Sequence, residues 1–150
     1  MDQFNCAILN HLQVNAALTN AELADQVHLS ASQISRRRAR LEADGIISGY
    51  RAEVDAAKLG FDIDVFIRVT LTAHSDDTAE SFGRFLNGFS EVRSAYALAG
   101  NADYLLHVKT RSLPDLSHFI NRRLLPHPNV GEVRSEIVLE RVKENSPLAL

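Results

Sequence analysis

The sequence predicts an α+β chain, an N-terminal winged helix-turn-helix followed by a βαββαβ ferredoxin-like sandwich. Three observations predict it. The first fifty residues carry apolar side chains at helical spacing in three segments separated by cap signals. From residue 63 the hydrophobic period falls to two. Beyond that point segments of the two periods alternate as strand, helix, strand, strand, helix, strand. The expected division is residues 1–50 for the first domain, 51–60 for a connector strand and 61–150 for the second.

Each element has its own reason. Phe4, Ile8, Leu9 and Leu12 form one apolar face of a first helix. Thr19 and Glu22 make an S/T-x-x-E capping box that starts a second, with Leu23, Ala24 and Val27 inward and His28-Leu29 at its end. Ser30 starts a third, from about Ala31 to Ala43, anchored by Ile34 and Leu41 and closed by Asp44-Gly45. Ile46 to Val54 is β-like and expected to give the wing strands. In the second part, Ile63, Val65, Ile67, Val69 and Leu71 alternate with Asp64, Phe66, Arg68, Thr70 and Thr72 as a strand with one apolar face. Ser75-Asp76 caps a helix bearing Phe82, Phe85, Leu86 and Phe89, with Asp76-Asp77 favoured there by the helix dipole. Val92–Leu98 and Tyr104–Thr110 are strands, Ser112 caps a helix with Leu113, Leu116, Ile120 and Leu124 inward, and Val133–Val142 is the last strand.

Composition narrows the function. At 45% hydrophobic and 23% charged, with 7 Gly and 4 Pro, the chain is globular rather than disordered. No stretch approaches the ~20 apolar residues of a membrane span, and the N-terminus lacks the pattern of a signal peptide. The single cysteine, Cys6, excludes an internal disulfide and a cysteine zinc site. A cytoplasmic protein is expected. The net charge of −3 argues against a polyanionic partner until its distribution is read: Arg36, Arg37, Arg38 and Arg40 put four cations into five positions of the third helix.

That helix is where a helix-turn-helix enters the major groove. Its first turns carry Ser32, Gln33, Ser35, Arg36 and Arg37, types that hydrogen-bond base edges, Gln with adenine and Arg with guanine. Arg40 and the hydroxyls of Ser30 and Ser32 suit phosphate. The candidate partner is double-stranded DNA; the alternative is a solvated basic face with no ligand. In the second domain both helices are expected on one side of the sheet. The other side would carry Phe66, Arg68, Thr70, Ala95, Ala97, Leu105, His107 and Val138, too apolar for a solvated face, which predicts self-association as a homodimer.

The motifs ILNHLQVNA, LTNAELADQVHLS, RLEADGIISGY and GNADYLLHVKT resemble the Lrp/AsnC family of leucine-responsive and asparagine-type transcription regulators over nearly the whole chain. The resemblance implies a C-terminal domain that dimerises through its sheet, assembles further, often to octamers, and binds a small effector, commonly an amino acid, between dimers. The family's effector loop carries over onto Gly100, Asn101, Asp103 and Tyr104, and the segment around Ser135 and Ile137 resembles one lining the side-chain pocket from across an interface. Glycine admits close backbone approach, loop N–H groups hold a carboxylate, and Asp103 suits an ammonium. Asn101 stands where the family often has Asp, Ala99 where it often has Ser or Thr, and Arg38 where an apolar residue is common. Read without the resemblance, Gly100 to Asp103 is equally a hairpin turn.

No catalytic residue, metal or cofactor is expected. The six histidines, His11, His28, His74, His107, His118 and His127, show no metal-binding spacing, and no phosphate-cradling or nucleophile-elbow motif is present. Sirohaem decarboxylases share the two-part architecture, and in that alternative His107 or His118 would donate a proton. Four arginines on the third helix argue against it. A third alternative is an amino-acid-sensing module that does not touch DNA.

Overall fold

The computed structural model describes residues 1–73, 75–144 and 146–150, and of Asp76 the backbone alone; His74, among the histidines weighed above, lies outside the described residues. The chain forms two compact units, Met1–Val54 with Val142–Leu150, and Asp55–Arg141. The last nine residues therefore belong with the first unit rather than with the expected 61–150 domain.

The first unit is built on α1 (Gln3–Val14), α2 (Asn20–Val27) and α3 (Ala31–Ala43). Its core is Ile8, Leu9, Leu12, Leu23, Ala24, Val27, Ile34 and Leu41, the residues that helical periodicity selects, with Phe4, Leu18, Leu29 and Ile47 packed around them. Side chains supply the caps. Asp2 accepts from the Asn5 N–H, and Thr19–Glu22 and Ser30–Gln33 each form a reciprocal capping box. His28 ends α2 in the left-handed region at φ 58°, the tight turn that sends the chain into α3. The expected wing strands are not formed. Residues 46–54 carry no strand, because the segment finds no partner strand among the described residues; Ile46 and Val54 are exposed. The C-terminal segment runs beside α1, where the Gln13 side chain accepts from Leu148 N–H at 2.7 Å and donates to its carbonyl at 3.3 Å.

The second unit contains β1 (Ile63–Leu71), α4 (Asp76–Leu86), β2 (Val92–Ala97), β3 (Tyr104–Thr110), α5 (Leu113–His118, continuing as a π turn over Phe119–Leu124) and β4 (Val130–Ile137). The sheet order is β2-β3-β1-β4 with every neighbouring pair antiparallel. One sheet face, with Val65, Ile67, Val69, Leu71, Leu106 and Val108, packs on Phe82 and Leu86 of α4 and on Leu116, Phe119 and Leu124, so both helices lie on the same side.

Three expectations about this unit are corrected, each through a local irregularity. A register shift between Val92 and Ser94 flips the alternation of β2. Ser94 and Tyr96, not Ala95 and Ala97, therefore share the open face with their partners His107 and Leu105. The π turn adds a residue to its helical turn and rotates Phe119 inward, while Leu113 is 56% exposed. The last strand starts three residues early, because a shift at Thr70/Leu71 lets Val130 pair with Leu71. It ends at Ile137 because β1 begins at Ile63; one further bond, Val138 N–H to Asp64 carbonyl, closes the ladder. Among the described residues no helix is long and apolar enough to cross a membrane.

Candidate nucleic-acid interface and ligand hollow

The four arginines of α3 divide into two pairs. Arg37 and Arg38 are partly buried and turned into their own unit. The Arg37 guanidinium donates to Asp2 Oδ2 at 2.6 Å and to Asn5 Oδ1 at 2.9 Å, and lies over the Phe4 ring. Asp2 is thus bound twice, once as the cap of α1 and once to α3. The Asn5 N–H and then the Arg37 guanidinium hold its carboxyl below the ordinary 3.8. Arg38 donates to Tyr50 Oη at 2.7 Å and to the Leu18 carbonyl at 3.2 Å, and Tyr50 in turn donates to Glu42 at 2.7 Å. Burial, then the Glu42 bond, raises the Tyr50 phenol above its ordinary 10.

Arg36 and Arg40 behave differently. Arg36 is exposed and makes no ion pair or hydrogen bond with any described residue. Arg40 is 82% exposed and lies 3.6 Å from Asp44, a pairing that solvent screens. Ser30, Ser32, Gln33 and Ser35 are exposed on the same N-terminal turns. The structure therefore brings Ser32, Gln33, Ser35, Arg36 and Arg40 to one accessible stretch of helix and draws Arg37 away from it. Sequence periodicity sets Arg37 and Arg38 beside the apolar stripe and Arg36 and Arg40 on a second ridge, but it gives no sign of the partner of Arg37, which is 35 residues distant.

In the second unit, a hollow of about 320 Å³ is lined by Leu71, Ala73, Ala79 and Ala97 with Ser75, Asp103 and Tyr104. Asp103 is fixed by its own hydrogen bonds: its Oδ2 accepts from Leu71 N–H at 2.7 Å, and its N–H donates to the Val69 carbonyl. Gly100 and Asn101 sit exposed on the adjoining β2–β3 loop. Ser135 and Ile137 pair with Ile67 and Val65 on the edge strand and do not line the hollow.

The open sheet face has a polar centre that residue patterning missed. Asp64 accepts from His107 at 2.5 Å, Lys109 at 2.8 Å and Arg141 at 2.7 Å, and Phe66 stacks on the His107 ring at 4.9 Å. Burial opposes ionisation of Asp64 most strongly, but the bonds from Lys109, His107 and Arg141 outweigh it and hold the carboxyl at about 2. Arg68 pairs with Glu136 alongside at 3.0 Å. His118 is exposed on α5. Among the described residues no three His, Cys, Asp or Glu side chains converge as a metal site.

Comparison with known proteins covers both units. An AsnC-type helix-turn-helix model matches residues 1–42, and an Lrp/AsnC ligand-binding domain model matches residues 64–148. The chain belongs to the Lrp/AsnC family. It is 34% identical over 144 residues to the leucine-responsive regulatory protein of Rhizobium meliloti, covering 96% of this chain and 92% of that protein. It is 33% identical to the Escherichia coli K12 protein of the same name, covering 100% of this chain and 92% of that protein. A transcriptional regulator from Neisseria meningitidis, solved as a complex with L-Met, superposes with a TM-score of 0.95 at 35% identity, covering 99% of this chain and 96% of that one. Escherichia coli AsnC gives 0.88 at 28% identity, covering 97% of each chain. Within this family the chain is a DNA-binding regulator of transcription with a ligand-binding domain.

Proposed function

We propose that this Lrp/AsnC regulator reads DNA with the exposed side of α3 and is tuned by an amino acid held at the β2–β3 loop. The observation that carries the reading is the split among the arginines: Arg36 and Arg40 are left to a partner, while Arg37 and Arg38 hold the helix that presents them. Ser32, Gln33, Ser35 and Arg36 contact base edges and Arg40 contacts phosphate, whereas Ser30, expected at phosphate, spends both its donors on the Gln33 carbonyl in the cap. Arg37 acts as a brace that sets the angle of α3.

The effector is an amino acid with a small or medium apolar side chain. The hollow beside Asp103 supports this, because its lining is three alanines, one leucine and Tyr104 with the Ser75 hydroxyl and one carboxylate. So does the L-Met complex of the similar Neisseria regulator. Gly100 and Asn101 offer loop N–H groups to the ligand carboxylate, and Ser135 and Ile137 contribute to the pocket of a neighbouring copy. The open sheet face pairs two copies into a homodimer, and dimers assemble further to octamers. The protein acts in the cytoplasm, where its DNA lies. Effector binding changes DNA affinity by its preference for one assembly state.

Fluorescence anisotropy with DNA from upstream of its own gene, over a salt series with competitor DNA, tests the reading. Binding that survives competitor and shifts with one amino acid is expected. Binding lost to competitor at every salt concentration overturns the DNA reading, and the absence of a shift with all amino acids overturns the effector reading.

A further inference from the structure

The first turn of α3 fixes which hydrogen-bonding groups Gln33 has left. Its Oε1 accepts from the Ser30 backbone N–H at 3.0 Å and from the Ser30 hydroxyl at 3.1 Å. A backbone N–H pairs only with an acceptor, so the amide is oriented carbonyl-inward, and both lone pairs of Oε1 are engaged. The Ser30 Oγ accepts from Gln33 N–H at 3.2 Å, closing the box. Ser32 Oγ lies 3.0 Å from Ser30 Oγ; with the Ser30 proton on Gln33, Ser32 donates to Ser30. What Gln33 shows to a partner is therefore the Nε2 amino group, a double donor with no acceptor.

A glutamine that reads adenine needs one donor for N7 and one acceptor for N6–H₂. Guanine presents two acceptors, N7 and O6, which a double donor satisfies. We propose that Gln33 is a specificity-determining residue that selects guanine over adenine, because Ser30 holds its carbonyl in the helix cap. This replaces the adenine pairing that residue type alone suggests, and it rests on the reading that α3 enters the major groove.

Gln33→Glu separates the cap from the readout. Glutamate is the other residue that closes a capping box, so the fold is kept while both donors are lost. The test is selection from a randomised duplex library with the full chain, followed by titration of the chosen duplex with each base substituted at each half-site position. For the wild type, one position requires guanine, and adenine there weakens binding by about tenfold or more. For Gln33→Glu, with an unchanged Tm, that position alone loses its guanine preference and moves to cytosine or adenine, whose amino groups donate. Adenine preferred by the wild type at the position that Gln33→Glu alters, or no position altered, overturns the inference while leaving DNA reading by α3 intact. A wild-type protein that selects no sequence overturns both.

Discussion

The two units of this protein use clustered charge in opposite ways. In the second unit two cations, Lys109 and Arg141, and the His107 ring converge on the single carboxylate of Asp64, and its hydrogen bonds with them tie β1, β3 and the segment after β4 together. In the first unit four arginines crowd α3, and only two of them find firm partners. A cation whose partner lies within its own unit is part of the scaffold. A cation left beside only a screened neighbour is available to bind a polyanion. The comparison explains how a chain of net charge −3 serves as a DNA-binding regulator: the useful charge is whatever intramolecular pairing leaves over.

The sharpest way to break that contrast is to remove the hub. Asp64→Ala leaves His107, Lys109 and Arg141 facing one another without the carboxylate. We expect a loss of about 2–3 kcal/mol, below the cost of a fully buried pair because the cluster is partly exposed. Urea denaturation followed by circular dichroism measures it, and an unchanged midpoint would make the cluster an ordinary surface network. Acid should produce a related loss. The folded carboxyl titrates at about 2 against an ordinary 3.8, a depressed value, so its contribution is complete above about pH 4 and disappears as the pH falls toward 2. The gap in urea midpoint between wild type and Asp64→Asn is expected to be widest near neutrality and to close across that acid window. A gap that stays constant would remove Asp64 as its source.

What the sequence makes legible follows the range of the interaction. The caps at Thr19, Ser30, Ser75 and Ser112 each act over three residues, and all four hydroxyls accept where residue patterning puts them. The buried faces of α1, α2 and α3 follow from spacing alone. Errors arise where a second segment decides. The β2 bulge depends on pairing with β3, the wing strands need a partner that residues 46–54 do not find, and the π turn follows from packing under the sheet. The candidate site divides in the same way. Arg36 and Arg40 are legible as an exposed ridge at i and i+4, whereas Arg37 is reassigned by Asp2 and Asn5 on another helix. Asp64 has no local signal, since Lys109 is 45 residues away.

The smaller effects sharpen the contrast within α3 itself. Arg36→Ala is expected to cost about tenfold in affinity for the preferred duplex and to relax one base position. Arg40→Ala should weaken all duplexes alike and lower the salt slope by about one. Asp2 supplies the most discriminating comparison, because electrostatics and geometry predict opposite signs there. Removing a carboxylate beside a DNA-binding helix brings less repulsion, so if Arg37 simply served as another cation for DNA, Asp2→Ala would free it and tighten binding to every sequence. If Arg37 is a brace, Asp2→Ala releases α3 from the start of α1 and weakens binding, by a few-fold on every duplex, with base preference unchanged. Arg37→Ala should then reproduce the weakening, and the double variant should be no worse than either single one. Tighter binding by Asp2→Ala in the same anisotropy titration would return Arg37 to the set of DNA-reading residues and reduce the scaffold pair on α3 to Arg38 alone.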